Sequence, residues 1–89
     1  MLIFNQTAIY YLKRLSSHAR RKSQLRFRLT DETQVVELLC HSARSHDIET
    51  KRDFMLFYIN CPENVRDYLE EGHSISAPLK NMVPVARAV

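Results

Sequence analysis

Seven cations lie within sixteen residues near the start of the chain, and clustered cations are suited to binding phosphate. They are Lys13, Arg14, Arg20, Arg21, Lys22, Arg26 and Arg28, with His18 among them. Such side chains neutralise phosphates and release counterions, which supplies much of the affinity for nucleic acid. Tyr10 falls on the same helical face, where its ring could stack on a base. The cluster predicts nucleic acid or an acidic protein surface as the partner.

The charge distribution of the whole chain supports the same prediction but allows a second interpretation. Residues 1–30 carry a charge of +7 and contain no acidic residue, whereas residues 31–89 carry −4, which together give the net charge of +3. An uneven distribution of this kind is typical of a basic binding face. Alternatively, the two halves neutralise each other across the fold, with acids such as Glu70 and Glu71 covering the cations.

The sequence contains no motif that indicates which kind of nucleic acid would bind. The sequence has no zinc-finger spacing, no aromatic RNA-binding motif and, with Gly72 as its one glycine, no glycine-rich phosphate loop. A basic amphipathic helix can also lie on an anionic membrane surface. The acid-free, Arg- and Ser-containing N-terminus has features of a mitochondrial transit peptide as well. The apolar runs are too short for an integral membrane segment.

Judged by its local sequence, Cys61 is the strongest candidate for covalent chemistry. It follows an apolar run and precedes Pro62, which favours the first position of a helix and makes Cys61 the predicted N-cap. A helix N-terminus stabilises a thiolate, so Cys61 is a candidate reactive thiol. Glu63 opposes this effect, and no second cysteine stands at CxxC spacing. We therefore expect a structural thiol with ordinary reactivity.

The other combinations of potentially reactive residues give little support for a metal site or a catalytic site. Cys40, His41, His46 and Cys61 do not have the spacing of a zinc site, and no other metal or cofactor is expected. The sequence shows no Ser/His/Asp pattern and no paired carboxylates beside an apolar segment, so no enzyme activity is predicted. Asp53 and the acids of the last predicted helix are interpreted as an acidic surface.

The cations lie on two predicted elements at the start of the chain. The first is a helix over 6–22 with Asn5 as its N-cap. Its apolar residues recur at helical spacing on one stripe, namely Ala8, Leu12, Leu15 and Ala19. In the second element, 25–29, apolar residues alternate with Arg26 and Arg28, which predicts a strand with one solvated face.

The remaining elements complete a small sheet with helices packed on it. Asp31 is the predicted N-cap of a helix over 31–44, although 34–40 could instead be a strand. Residues 45–52 are polar and are interpreted as a loop. The run Phe54–Ile59 is apolar throughout, which predicts a strand buried on both faces and central to the fold. A helix over 62–71 follows, ending before Gly72.

The sequence thus predicts an α+β fold with strands near 25–29 and 54–59, packed by two or three helices. Short edge strands are conceivable at either end. Residues 1–72 form the predicted domain and 73–89 a C-terminal tail. Two unpaired cysteines indicate a reducing compartment, so the chain is expected to be cytoplasmic. The leading functional hypothesis is a small intracellular binding or adaptor protein with a basic contact face. The alternatives are a thiol-dependent protein using Cys61 and a structural or oligomeric subunit without a site of its own.

Overall fold

A computed structural model of the protein describes residues 4–63 and 65–67. Three helices make up most of this part of the chain: α1 over Gln6–Ser23, α2 over Glu32–Ala43 and α3 over Ile48–Asn60. None of the described residues lies in a β-strand. The predicted α+β fold is therefore wrong, and the described part is a small helical domain.

The first two helices confirm the predictions over 6–22 and 31–44, including their N-caps. The Asn5 side-chain oxygen accepts a hydrogen bond from the Ala8 amide at 2.7 Å. The Asp31 carboxylate accepts from the Thr33 amide at 3.0 Å. Each bond satisfies an amide that has no partner inside its helix, which fixes where the helix begins. The strand considered for 34–40 does not form, because these residues lie inside α2.

The predicted central strand 54–59 is the second half of α3. Helical spacing decides which of its side chains are buried: Phe54, Phe57 and Tyr58 are each 1% exposed, whereas Ile59 is 43% exposed. The buried stripe also continues upstream through Thr50 and Asp53. An amphipathic helix accounts for this pattern of i, i+3 and i+4 burial, which a strand cannot produce.

The segment 45–52, predicted as a loop, contains the start of α3. The Asp47 carboxylate accepts from the Thr50 amide at 3.0 Å and from the Thr50 hydroxyl at 2.9 Å. These bonds cap the helix in the same way as Asn5 and Asp31 cap theirs. The helix therefore begins six residues before the apolar run that was predicted to be a strand.

The alternating segment 25–29 is an irregular connection between α1 and α2. The C-cap of α1 is Gln24, which has left-handed backbone angles (φ 58°, ψ 21°). The Gln24 amide donates to the Arg20 carbonyl and the Leu25 amide donates to the Ala19 carbonyl. Further along, the Arg28 amide donates to the Gln34 side chain at 2.8 Å. Alternation exists, since Phe27 and Leu29 pack on the core while Arg26 and Arg28 are exposed. However, no other extended segment pairs with it within the described residues, so no sheet forms.

The chain resumes a helical conformation after α3, at Glu63 and 65–67. The Pro62 carbonyl accepts from the Val65 and Arg66 amides at 3.0 and 3.1 Å. This turn therefore begins at Pro62 and not at the predicted N-cap Cys61. The remaining positions of the predicted helix 62–71 lie outside the described residues, as do the domain boundary after residue 72 and the tail 73–89.

The core lies where α1 and α3 face each other, with α2 packed against both. α1 contributes Leu12 and Leu15, and α3 contributes the aromatic residues of its buried stripe. Val35, Val36, Leu38 and Leu39 of α2 complete the cluster. Burial of this apolar surface supplies the main driving force for folding. It also fixes which face of α1 turns to solvent.

Candidate nucleic-acid interface

The solvent side of α1 carries most of the predicted cationic residues. Leu12 and Leu15 are buried, as predicted from their stripe, and the opposite side of the helix exposes Lys13, Arg20 and Arg21. Lys13 and Arg20 are two turns apart, or about 10 Å along the helix axis. Tyr10 is 55% exposed on the same side. The hydrophobic face of α1 therefore positions a row of cations toward solvent.

The connection after α1 extends this cationic surface. Lys22 is exposed in the last turn of α1, and Arg26 and Arg28 are exposed in the segment that follows. Burial of Phe27 and Leu29 against the core turns the two arginines outward. We call the following set the basic face: Lys13, Arg20, Arg21, Lys22, Arg26 and Arg28, together with Tyr10.

Arg14 belongs to the predicted cluster but points toward a different partner. Its Nε donates to the Oδ2 of Asp53 at 3.0 Å, and its guanidinium lies 5.8 Å from the centre of the Tyr10 ring. Arg14 therefore links α1 to α3 and supports Tyr10 from one side. It neutralises a buried carboxylate and is excluded from the basic face.

Few acids neutralise the basic face within the described residues. Lys22 pairs with Asp47 across a distance of 3.7 Å, and the Arg21 guanidinium lies 2.8 Å from Nδ1 of the His18 ring. No carboxylate among residues 4–63 and 65–67 forms an ion pair with Lys13, Arg20, Arg26 or Arg28. Glu70 and Glu71, the acids predicted as a cover, lie outside the described residues. Among the described residues, Lys22–Asp47 is thus the one ion pair that neutralises a cation of the basic face.

Asp53 is the centre of a buried polar network that the sequence analysis missed. Its side chain is 2% exposed, and its Oδ2 accepts from His18 Nε2 at 2.6 Å and from Arg14 Nε at 3.0 Å. Arg52 lies further away, at 3.8 Å from Oδ1. Burial alone would raise the pKa of Asp53, but the hydrogen bonds from His18 and Arg14 outweigh burial and hold this pKa below its ordinary value. Asp53 is therefore a structural anion and not part of an acidic surface.

His18 is also misplaced by the sequence analysis, which grouped it with the exposed cations. It is 3% exposed and sits between Asp53 and Arg21, whose Nη2 lies 2.8 Å from His18 Nδ1. Arg14, His18 and Arg21 follow each other at i, i+4 and i+7 on α1, so they share one side of the helix. That spacing was the available signal for the network. Its acidic partner lies 35 residues away in sequence.

Cys61 is enclosed at the end of α3. It is 5% exposed, and burial raises the pKa of its thiol to about 12, with a smaller opposing effect from Arg66. At neutral pH almost none of this cysteine is thiolate, which is the nucleophilic form. The environment is therefore that of a structural cysteine.

A groove of about 780 Å³ lies between the end of α1, the connection and α2. Cys40, His41 and His46 line it, together with Leu25 and Phe27. The fourth residue considered for zinc, Cys61, is in the core, and no group of three or more metal-ligating side chains converges among the described residues. Burial raises the pKa of Cys40, so its thiol is also poorly suited to bind metal.

The chain matches no family model, and searches of curated proteins and of solved structures find no similar sequence or fold. No helix in the described part is long and apolar enough to cross a membrane.

Proposed function

We propose that this protein is a small intracellular binding protein that contacts the phosphate backbone of nucleic acid through its basic face. One observation carries the proposal. All six cations of the basic face are exposed, and only Lys22 among them pairs with a carboxylate within residues 4–63 and 65–67. Unpaired cations on a fixed surface are available to neutralise phosphates, and each one that does so releases counterions.

The composition of the basic face favours backbone contact over reading of base sequence. Arginine supplies four of the six cations, and its guanidinium forms paired hydrogen bonds to phosphate oxygens. Tyr10 is the exposed aromatic residue of this face, so stacking on bases adds little discrimination between sequences. The rigid backbone of α1 fixes the positions from which Lys13 and Arg20 extend before a ligand arrives, which limits the entropy lost on binding.

The salt dependence of binding tests this function. Fluorescently labelled single-stranded DNA, duplex DNA and RNA are titrated with the protein at several salt concentrations, with polyglutamate as an acidic protein-like polymer. Nucleic acid should bind at low salt, and the logarithm of the association constant should fall linearly with the logarithm of salt concentration. Binding to polyglutamate alone would point to an acidic protein partner instead. Absence of binding to every polyanion at low salt would refute a role for the basic face.

A structural or oligomeric role is the second candidate, and one feature of α3 favours it. Ile48 is 82% exposed and Ile59 is 43% exposed, and a separation of eleven residues places them on the same side of the helix. These two exposed isoleucines can pack against a second copy of the chain. Sedimentation analysis of the parent protein and of Ile48→Glu would detect this assembly. The thiol-dependent alternative has less support, because Cys61 is enclosed.

A further inference from the structure

We infer that His18 controls the availability of Arg21: the neutral imidazole accepts a hydrogen bond from the Arg21 guanidinium, and protonation of His18 breaks this bond and frees the guanidinium to bind phosphate. The effect on ligand affinity rests on the proposed function, whereas the exchange of hydrogen bonds does not. The inference starts from two contacts of one buried ring. His18 Nε2 lies 2.6 Å from Asp53 Oδ2, and His18 Nδ1 lies 2.8 Å from Arg21 Nη2.

These two contacts determine the hydrogen positions on the ring. An arginine guanidinium has donors and no acceptor, so Arg21 must donate and His18 Nδ1 must accept. The Asp53 carboxylate accepts, so His18 Nε2 carries the hydrogen. Both ring nitrogens are then satisfied by a neutral imidazole in its Nε2–H form. A protonated ring would have a hydrogen on Nδ1 as well, and the contact with Arg21 would have no acceptor.

Protonation therefore changes one side of the ring and leaves the other intact. The Nε2–H bond to Asp53 remains and gains the attraction between opposite charges. On the Nδ1 side, the hydrogen bond from Arg21 is lost and two positive groups face each other at close range. Arg21 is an exposed residue, so its side chain can move into solvent without disturbing the core. The basic face then gains a guanidinium that is free to bind phosphate.

The charges around His18 come from several elements. Asp53 faces it from α3, and Arg14 of α1 binds the same carboxylate oxygen as His18. Arg52 lies 3.8 Å from the other oxygen of that carboxylate. Asp47, in the connection before α3, pairs with Lys22. The hydrogen bonds from Thr50 hold the pKa of Asp47 below its ordinary value, and burial opposes this effect. The titratable groups on α2 are Glu32, Glu37, Cys40 and His41, and His41 contacts Ser23.

When Arg21 is released, its positive charge moves away from Nδ1 of His18, the ring nitrogen that gains a hydrogen on protonation. Protonation and release therefore favour each other. By linkage, a ligand that binds the released Arg21 must also promote protonation of His18. Binding of nucleic acid should therefore be accompanied by uptake of a proton.

The test compares two arginine variants that carry the same change of charge. The dissociation constant for a fluorescent single-stranded oligonucleotide is measured from about pH 8 to about pH 5, the range in which histidines titrate, at constant ionic strength. Arg20→Gln is the matched control, because it removes a cation of the basic face that has no contact with His18. The parent and Arg20→Gln should gain about fivefold in affinity toward acidic pH, as one additional phosphate contact gives at 0.1 M salt. Arg21→Gln should lose this gain.

Nuclear magnetic resonance of the ¹⁵N-labelled protein tests the hydrogen positions without any ligand. His18 should show the neutral Nε2–H form at high pH, and the Arg21 side-chain Nε–H signal should shift as His18 is protonated. The inference would be overturned if the neutral ring carries its hydrogen on Nδ1, or if the Arg21 signal does not change when His18 is protonated. It would also be overturned if Arg20→Gln and Arg21→Gln gain equally in oligonucleotide affinity toward acidic pH. If the parent binds no oligonucleotide at any pH, the proposed function is wrong. The resonance data then decide alone whether protonation of His18 breaks its hydrogen bond with Arg21.

Discussion

His18 Nε2 lies 2.6 Å from Asp53 Oδ2, and this contact joins α1 to α3 inside the core. The two residues are 35 positions apart in sequence, and both are buried. Arg14 binds the same carboxylate oxygen at 3.0 Å. The buried network therefore fixes the register of α1 against α3 with directional contacts that apolar packing alone does not provide.

Removal of the Asp53 carboxylate should destabilise the protein strongly. Asp53→Ala leaves a cavity and a buried imidazole donor without an acceptor, and loss of one partner of a buried pair costs about 3 kcal/mol or more. Asp53→Asn keeps an oxygen acceptor and should cost less. Urea denaturation gives the free energy of unfolding of each variant. Glu37→Ala, on the exposed side of α2, is the control, and equal losses in Glu37→Ala and Asp53→Ala would contradict this account.

Stability should also fall in acid because of Asp53. The hydrogen bonds from His18 and Arg14 outweigh burial and hold its folded-state pKa below the ordinary value of 3.8, to which the unfolded chain returns. The stabilisation is therefore complete above that value and is lost as the pH falls below it toward the folded-state pKa. The difference in unfolding free energy between the parent and Asp53→Asn should shrink in this acidic range. A difference that stays constant down to the lowest measurable pH would show that Asp53 is not the responsible group.

The helices α1 and α2 were predictable because their signals are local. Asn5 and Asp31 are good N-caps, and each precedes a run with uninterrupted apolar periodicity. α3 was not predictable by the same means, since a charged residue, Asp53, occupies a core position of its buried stripe. With Asp53 assigned to the surface, the stripe begins at Phe54, and the apolar run that remains has the pattern of a buried strand.

The buried network and the irregular segment 25–29 depend on contacts between residues distant in sequence. Alternation in 25–29 separates the partly buried Phe27 and Leu29 from the exposed Arg26 and Arg28. It fails at Leu25, which is 43% exposed although the alternation places it on the buried face. It does not reveal whether another strand is present to pair with them. Likewise, the spacing of Arg14, His18 and Arg21 groups them on α1 but does not identify Asp53 as their partner. The basic face was predictable, because amphipathicity alone assigns most of its residues.

Alanine substitutions in the apolar run separate a helix from a strand. In α3, Phe57 is 1% exposed and Ile59 is 43% exposed, although both would be buried in a strand covered on both faces. Phe57→Ala should lower the free energy of unfolding by about 4 kcal/mol. Ile59→Ala should lower it by about 0.5 kcal/mol, as is usual for an exposed position. Chemical denaturation measures the free energy of unfolding of both variants. Similar large decreases for the two would support a buried strand instead of a helix.

Cys61 should resist alkylation in the folded protein. It is enclosed, and burial raises its pKa to about 12, so the nucleophilic thiolate is scarce at neutral pH. Cys40 is half-buried and should react sooner, even though burial raises its pKa as well. Mass spectrometry after timed treatment with iodoacetamide at several pH values resolves the two sites. A rapid reaction of Cys61 at neutral pH would support the thiol-dependent alternative.

The central claim, that the basic face binds nucleic acid, is tested most directly by reversing one of its cations and one cation outside it. Arg20→Glu and Lys51→Glu change the net charge equally and both alter exposed side chains, but Lys51 lies on α3. At 0.1 M salt, Arg20→Glu should weaken binding to a single-stranded oligonucleotide by about fivefold or more and reduce the salt slope by about 0.7, as loss of a phosphate contact requires. Lys51→Glu should leave the salt slope unchanged. Equal effects of the two variants, with both folded, would contradict a localised basic face.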